Sequence, residues 1–579
     1  MHFGCDVQNR VALRQFSLPT VGLGGIMVTI AVLSRSVSRV SSRVAWLLVC
    51  ALLVMPEARA AAAGQAVGEA IYRQGALPSG VPLRGEREAG VAVEGLAAAC
   101  VTCHRRSGLG TTEGRIVVPP IIGKYLFRPH STNVHDMGLP HLPGYRSLRE
   151  PYTDASLARA ISEGIGPNGR SLSFLMPRYS LDDATMRSLI TYLANLTAAP
   201  VPGVSDDTLH FATIITSDAD PIQRRGMLDV MENFFADKNS FIRGGARPMQ
   251  ASREIEYRVS RRWQLHVWEL TGPPDQWERQ LRAHLLAQPV FAAISGLGGR
   301  TWAPIHRFCE SVSLPCLLPN VDLPVVAERD FYPVYFSRGV LLEADLMAAK
   351  IAEPLDRHLV RRVVQVFREG DIGQDAAGAL AAALGAAGLS SESRRLGVGA
   401  TAQDLAAALR GLSVGDVLTL WLRPEDLAGL PAEVTEATSV LVSGVMGGME
   451  HAPLPPAWRS AARMTYPVDL PELRKLRMNY PLGWFKIHRI PVVAERVQAD
   501  TYVACGILAE TLTDMLDSFV RDYLVERVEV MLSHRLVNGY YPRLSLAQGQ
   551  RFASKGGYIA RFGEPQGEAL AADGEWTVP

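Results

Sequence analysis

The pentapeptide Cys100-Val101-Thr102-Cys103-His104 sets two thiols three positions apart with an imidazole at the next residue. Thiols at this spacing can add to the two vinyl groups of a porphyrin, and the adjacent histidine can then reach the iron, which is the attachment pattern of a c-type haem. Spacing, order and the neighbouring histidine are all needed. A Cys-x-x-Cys pair alone also serves thiol–disulfide exchange or supplies half of a zinc site, and these are the competing readings. An iron held by one histidine needs a sixth ligand or an open site. Met176, in Leu175-Met176-Pro177-Arg178-Tyr179, offers a thioether that stabilises ferrous iron and suits electron transfer rather than oxygen binding. The plain alternative is a methionine that fills a core. His130, His135, Met137 and His141, among the prolines and glycines of residues 124–149, are rival ligands.

The haem reading asks for an address outside the bacterial cytoplasm, and the N-terminus offers one. Arg35, Arg39 and Arg43 precede a short apolar run from Val44 to Met55, and Ala58-Arg59-Ala60 supplies the small residues of a cleavage site. Residues 1–60 therefore read as an N-terminal extension and signal peptide, with Met27 as an alternative start and the mature chain beginning near Ala61. The apolar run is short for a membrane span, which needs about 20 residues; an uncleaved anchor is the other reading. The expected location is the periplasm. There Cys309 and Cys316 can pair as a disulfide, or stay as two buried thiols.

The 579 residues exceed one ordinary core and call for several domains. With 47% hydrophobic and 20% charged residues the chain reads as globular. Lys+Arg at 59 against Asp+Glu at 58 leaves no net charge to draw the chain to nucleic acid.

Residues 61–200 hold the haem motif between helices. A short helix is expected over Gly64–Gly75, with Gly68 and Tyr72 on one face. A second opens at Leu181-Asp182-Asp183, where acidic residues suit the positive helix end, and continues through Met186, Leu189, Ile190, Tyr192 and Leu193. A middle helix is expected over Tyr152–Ile161, closed by Gly164–Gly169. With Cys100, Cys103, His104 and a Met176-Pro177 pair before the last helix, this stretch resembles the small monohaem cytochromes c. The resemblance implies an all-α domain with one covalent haem c, bound to iron through His104 and Met176. Pro119-Pro120-Ile121-Ile122-Gly123 resembles the loop that supports the iron-bound histidine in that family.

Ala198-Ala199-Pro200-Val201-Pro202-Gly203 reads as a linker. Residues 201–579 then alternate strands and helices. The expected elements are strands at Leu209–Thr216, Ile255–Val259, Gln264–Leu270, Val290–Ile294 and Cys316–Leu318, with helices at Ile222–Lys238 and Pro274–Leu286 and one ending at Cys309. A second series has strands at Arg362–Phe367, Val417–Leu422 and Ser439–Ser443 and a helix at Asp375–Leu389. Two such series imply two α/β lobes, each with a mostly parallel sheet, and a ligand cleft between them. The stretches Val290–Trp302, Tyr335-Phe336-Ser337 and Val363–Gly373 resemble the type I periplasmic binding proteins, especially the Leu/Ile/Val-binding branch. That resemblance implies a small-molecule site built from Ser295, Gly298, Thr301, Tyr335, Ser337 and Asp371. Gly296-Leu297-Gly298-Gly299-Arg300 departs from the serine-rich loop of the amino-acid binders.

The chain has no Gly-x-Ser-x-Gly, His-Glu-x-x-His or Walker loop. The expectation is a periplasmic electron-transfer protein fused to a small-molecule-binding module that localises or gates electron flow, rather than an enzyme. Its redox partner is a periplasmic dehydrogenase or a terminal oxidase chain. The alternative is the solute-binding or sensor component of an amino-acid-like uptake system that carries an accessory haem.

Overall fold

The computed structural model describes residues 62–128, 150–243, 261–327, 329–353, 360–434, 436–437, 439–534, 539–563 and 569–579. The signal segment, the strand expected at Ile255–Val259, and His130, His135, Met137 and His141 lie outside them.

The haem-motif region contains helix α1 (62–74), the single turn α2 (Val101–His104), α3 (Asp154–Glu163) and α4 (Asp183–Asn195). Helix α3 starts on a capping box between Thr153 and Ser156 and stops where Gly164 turns left-handed at φ 73°. Helix α4 begins where the Asp182 carboxylate accepts the Thr185 N–H at 2.8 Å. Helices α1 and α4 cross at Gly68: a Cβ there would lie 2.4 Å from the Ser188 carbonyl and 2.5 Å from the Tyr192 Cβ, so the glycine lets the backbones meet. The region is not all-α. Strands β1 (Arg84–Arg87), β2 (Val91–Glu94) and β5 (Arg178–Tyr179) form an antiparallel sheet, and β3 (Thr111–Glu113) pairs with β4 (Ile116–Val118). These strands have two to four residues each, too short and too polar to leave an alternation in the sequence.

Lobe 1 is built on β6 (Thr208–Ile215), β7 (Arg262–Glu269), β8 (Ala292–Ile294), β9 (Cys316–Leu317) and β10 (Pro333–Val334). Lobe 2 is built on β11 (Arg362–Arg368), β12 (Ser391–Leu396), β13 (Asp416–Trp421), β14 (Ser439–Ser443) and β15 (Ala462–Tyr466). Both parallel sheets share one spatial order, β7-β6-β8-β9-β10 and β12-β11-β13-β14-β15, so each is wound outward in two directions from its first strand. Lobe 2 is extended antiparallel by β16 (Tyr558–Phe562) and β17 (Leu570–Ala572).

Strands β8, β13 and most of β11 are buried, which is why they read as apolar runs. Lobe 1 packs α5 (Pro221–Arg243), α6 (Trp277–Ala287) and α7 (Ala303–Ser311) around its sheet, and lobe 2 packs α8 (Val340–Ile351) and α9 (Ile372–Ala386); α10 (Pro471–His488) runs from lobe 2, where Arg474 pairs with Glu450, to lobe 1, where Trp484 and His488 meet Asp237 of α5. The chain returns to lobe 1 as α11 (Glu495–Met515) and α12 (Arg521–His534) before its last strands rejoin lobe 2. It therefore crosses between the lobes three times, at 338–340, along α10 and within 539–557.

Cys309 of α7 and Cys316 of β9 are disulfide-bonded, with Cα atoms 6.2 Å apart. Among the described residues no helix is long and apolar enough to cross a membrane.

Candidate functional site

The turn α2 carries Cys103 and His104, with Cys100 at its N-cap, and neither thiol is in a disulfide. His104 is buried, and its Nδ1 lies 2.9 Å from the Pro119 carbonyl. A carbonyl only accepts, so Nδ1 carries the proton and the lone pair is on Nε2, the atom that can face a metal. Burial also lowers the His104 pKa and so keeps the ring neutral. The Tyr179 hydroxyl donates to the Ala98 carbonyl at 2.7 Å, and Tyr179 lies close enough to Cys100 and Cys103 to feel their charge. Strand β5 is thereby tied to the segment before Cys100, which brings half-buried Met176 to the same part of the domain. Leu96 and Phe174, in the segments leading to Cys100 and Met176, expose 64% and 62% of their surface, apolar area that a flat macrocycle can cover.

This donor set fits a covalent haem: two thiols outside any disulfide, an imidazole with its outer nitrogen anchored, and a thioether in the same part of the domain. Among the described residues no group of three or more His, Cys, Asp or Glu could hold a bare metal ion.

The residues after His104 are anchored in lobe 1. Arg105 ion-pairs with Glu529 of α12, and Glu529 also holds Arg551; all three side chains are at least nine-tenths buried. Glu526, one turn earlier, accepts the Ser107 N–H at 2.8 Å and its hydroxyl at 2.6 Å. Burial pushes the Glu526 carboxyl up to about 7, against the opposing pull of Ser107 and Arg105. Arg106 lies over the Phe331 and Tyr332 rings at 4.6 and 5.2 Å. Helix α12 is itself fixed to lobe 1, where Arg521 donates to the Val290 carbonyl at 2.6 Å and to the Phe291 carbonyl at 3.2 Å.

Between the lobes lies a cavity of about 610 Å³. Its lobe 1 wall carries Asp218 after β6 and Gly298, Gly299 and Arg300 after β8, and its lobe 2 wall carries Arg368, Glu369 and Asp371 after β11 and Arg423 after β13. In each sheet these strands flank the point where the winding reverses, the place where open parallel sheets bind ligands. The two reversal points face each other across one charged cleft. Its cations are largely held. Arg423 grips Asp371 through two bonds of 2.9 Å, and Arg368 grips Asp426 at 2.6 and 2.8 Å. Burial raises the Asp371 carboxyl, but the bonds and charge of Arg423 outweigh it and hold the group below the usual carboxylate range.

Under this cleft is a second, much smaller cavity of about 20 Å³, walled by residues of lobe 1, of lobe 2 and of α11. Asp322 lines both cavities, so this smaller floor cavity adjoins the cleft at that residue.

The structure divides the expected ligand residues. Gly298 and Asp371 line the cleft; Tyr335 and Ser337 line the floor cavity. Tyr335 is committed elsewhere by its hydroxyl, 2.6 Å from His306 Nδ1. Ser295 and Thr301 line neither cavity. Ser295 is fully buried, with its hydroxyl 2.8 Å from Thr501 of α11 and 3.1 Å from the Asn320 amide, so it joins elements inside lobe 1. Thr301 accepts the Ala303 N–H at 3.3 Å at the start of α7 and lines neither cavity.

Asp371 also caps α9 by accepting the Ile372 N–H at 2.8 Å. The glycines of 296–299 serve close packing. A Cβ on Gly298 would meet the Trp302 ring at 2.8 Å, and one on Gly299 would meet the Asp218 carboxylate at 2.4 Å. The sequence reading missed Asp322, Arg496, Asp500 and Tyr541, whose only signal is the charge of the first three at positions that prove to face inward.

No family model and no curated protein matches the chain. Among solved structures the chain is similar to a fatty acid ABC transporter substrate-binding protein from Thermomonospora curvata, at 16% identity over 66% of this chain and 95% of that one, with a TM-score of 0.46. It is similar to a substrate-binding periplasmic protein from Ralstonia solanacearum, at 13% identity over 63% of this chain and all of that one, with a TM-score of 0.44. A branched chain amino acid ABC transporter from Thermus thermophilus with bound valine gives 10% identity, 65% and 97% coverage and a TM-score of 0.43. The description of two lobes rests on this chain's own sheets and crossings, and no ligand is carried over from these proteins.

Proposed function

We propose that this is an exported binding protein whose two lobes close on a small molecule, and that its N-terminal domain is a c-type cytochrome fixed to lobe 1. The observation that supports binding is the meeting of the two sheet-reversal points at one charged cleft of about 610 Å³. The three crossings give the lobes a shared hinge, so that ligand in the cleft favours the closed arrangement. The haem assignment is supported by Cys100 and Cys103 on one turn beside His104, whose Nδ1 is held by the Pro119 carbonyl at 2.9 Å. A haem in that place supplies one-electron transfer, with the Met176 thioether favouring the ferrous state.

Arg105, Arg106 and Ser107 would keep the haem-bearing turn at a fixed place on lobe 1, so a redox partner meets the two domains as one body. The function is electron delivery by a carrier attached to a ligand-sensing module, acting in the periplasm with a dehydrogenase or oxidase chain as partner. The uptake-protein alternative rests on the same cleft and makes the haem accessory.

Two measurements on the exported full chain separate these readings. Denaturing electrophoresis with haem staining should show covalent haem, abolished by C100S/C103S, and M176A should remove the six-coordinate His/Met spectrum. Native mass spectrometry should show a small molecule retained by the chain. Absence of covalent haem from chain exported by a haem-attaching host sinks the cytochrome assignment. A reduction potential that is the same with and without the retained molecule removes gating and leaves the fusion as a localising device.

A further inference from the structure

The floor cavity holds a carboxylate with an open oxygen. Asp500 sits on α11, one turn after Arg496, and is 3% exposed. Its Oδ1 is buried and has no hydrogen-bond partner among the described residues. A buried acceptor without a donor is destabilising, and such groups are rare in folded proteins unless a water, an ion or a ligand completes them. Asp500 lines the cavity of about 20 Å³, room for little more than one water-sized group, so whatever supplies the donor is compact.

The charges around Asp500 leave it uncompensated. Arg496 Nη2 donates to Asp322 Oδ1 at 2.7 Å, so the nearest cation is already engaged by another carboxylate. Arg474 acts on Asp500 only through space, and Asp322 and Tyr541 add like charge or polarity beside it. Burial pushes the Asp500 carboxyl up to about 7, with Arg496 pulling it back. The carboxylates Asp322 and Asp500 thus face one guanidinium, and a compact cation that donates hydrogen bonds would both balance the charge and fill the open oxygen. In the cleft above, Arg423 and Arg368 are each held by a carboxylate of the protein, which leaves neither poised for an anionic ligand.

We propose that Asp500 receives the ammonium group of a small primary amine, seated in the floor cavity, while the rest of the molecule lies in the interlobe cleft. This rests on the binding-protein reading and narrows it to basic ligands. Asp322, shared by both cavities, marks the passage between head group and cleft. The site is distinct from Asp371, whose carboxylate is occupied by Arg423 and by the cap of α9.

The test is titration calorimetry on the full chain with n-butylammonium chloride and, as the uncharged match in size, 1-butanol. The amine should bind at least about tenfold more tightly than the alcohol. Asp500→Asn, which keeps the shape and removes a buried charge, should bring the amine down to the level of the alcohol while leaving the circular dichroism spectrum unchanged. Asp275→Asn, at an exposed position that lines neither cavity, should leave the amine affinity within about twofold. Equal binding of amine and alcohol, undiminished amine binding by Asp500→Asn, or no amine binding by the wild type each overturns the proposal. If the amine fails while native mass spectrometry still finds a non-basic molecule retained, this inference falls and the binding-protein reading stands. If no molecule is retained and nothing binds, both fall.

Discussion

The docking face on α12 and the interlobe cleft are made from the same kinds of side chain and use them in opposite ways. At the docking face Arg105, Glu529, Arg551, Glu526 and Ser107 are buried and mutually paired. In the cleft the pairs stand at a wall, part exposed, and beneath them one carboxylate oxygen of Asp500 is left without a donor. Buried polar groups that satisfy one another hold a fixed geometry, whereas an unsatisfied one marks a place where something else is expected. Among the carboxylates the contrast is complete: both oxygens of Glu529 and of Glu526 are engaged at the junction, where Arg551 Nε is without a partner among the described residues, whereas Asp500 Oδ1 is open at the cleft floor.

The largest effect that separates the two regions should come from Glu529→Ala. Removing the shared carboxylate strands Arg105 and Arg551, whose side chains are 10% and 3% exposed, as unpaired buried cations. Breaking such a pair costs about 3–5 kcal/mol. Denaturant unfolding of the variant should show the junction released at lower concentration than in the wild type, and protease should reach the linker around Ala198–Gly203 sooner. Glu529→Gln, which keeps an acceptor, should fall between the two. An unchanged unfolding profile for Glu529→Ala would place the junction among contacts of no structural weight.

A second, smaller effect concerns protons. Glu526 is raised to about 7 from an ordinary 4.5, so the folded chain holds its proton where the unfolded chain has lost it. Stability from this group is complete below about 4.5 and is lost as pH rises through about 7. Glu526→Gln removes that loss. The variant should gain on the wild type in thermal midpoint between pH 5 and 7, and the gap should then stay constant to pH 8. Glu343 and Asp500, also raised to about 7 by burial, act in the same direction in both proteins and cancel from the difference.

What the sequence discloses divides along similar lines. Cys100–His104 is legible as a motif because its residues are adjacent and fall on one turn, and β6, β11 and β13 are legible because largely buried strands are rich in apolar residues. The pairing of Ser295 with Thr501 was not legible, because the partner lies 206 residues away and no spacing records it. Arg496, Gln498, Asp500 and Thr501 are polar types that usually face solvent, yet Gln498, Asp500 and Thr501 are buried and Arg496 lines the floor cavity. Helix α11 is covered on most of its circumference, so it has no single apolar stripe for periodicity to find. The sheet of β1, β2 and β5 escaped because it joins residues about 90 positions apart through two-residue pairing.

The smallest effect should come from Asp371→Asn, and it tests the cleft side of the comparison. The Asp371–Arg423 pair is partly exposed, at 17% and 34%, so its net contribution is screened by water. Asparagine also caps a helix nearly as well as aspartate, so the start of α9 should hold. The wild type should exceed the variant by no more than about 1 kcal/mol at pH 7. The sign follows from Arg423 holding the carboxyl below its ordinary range: this stability is present above the unfolded value near 3.8 and is lost as pH falls through the lower folded value. The gap should therefore close on acidification below about pH 4, read from urea midpoints at pH 7 and pH 3. A gap of several kcal/mol at pH 7 would instead make Asp371 a structural member like Glu529, and the division between the paired carboxylates of the junction and an open cleft would fail at this residue.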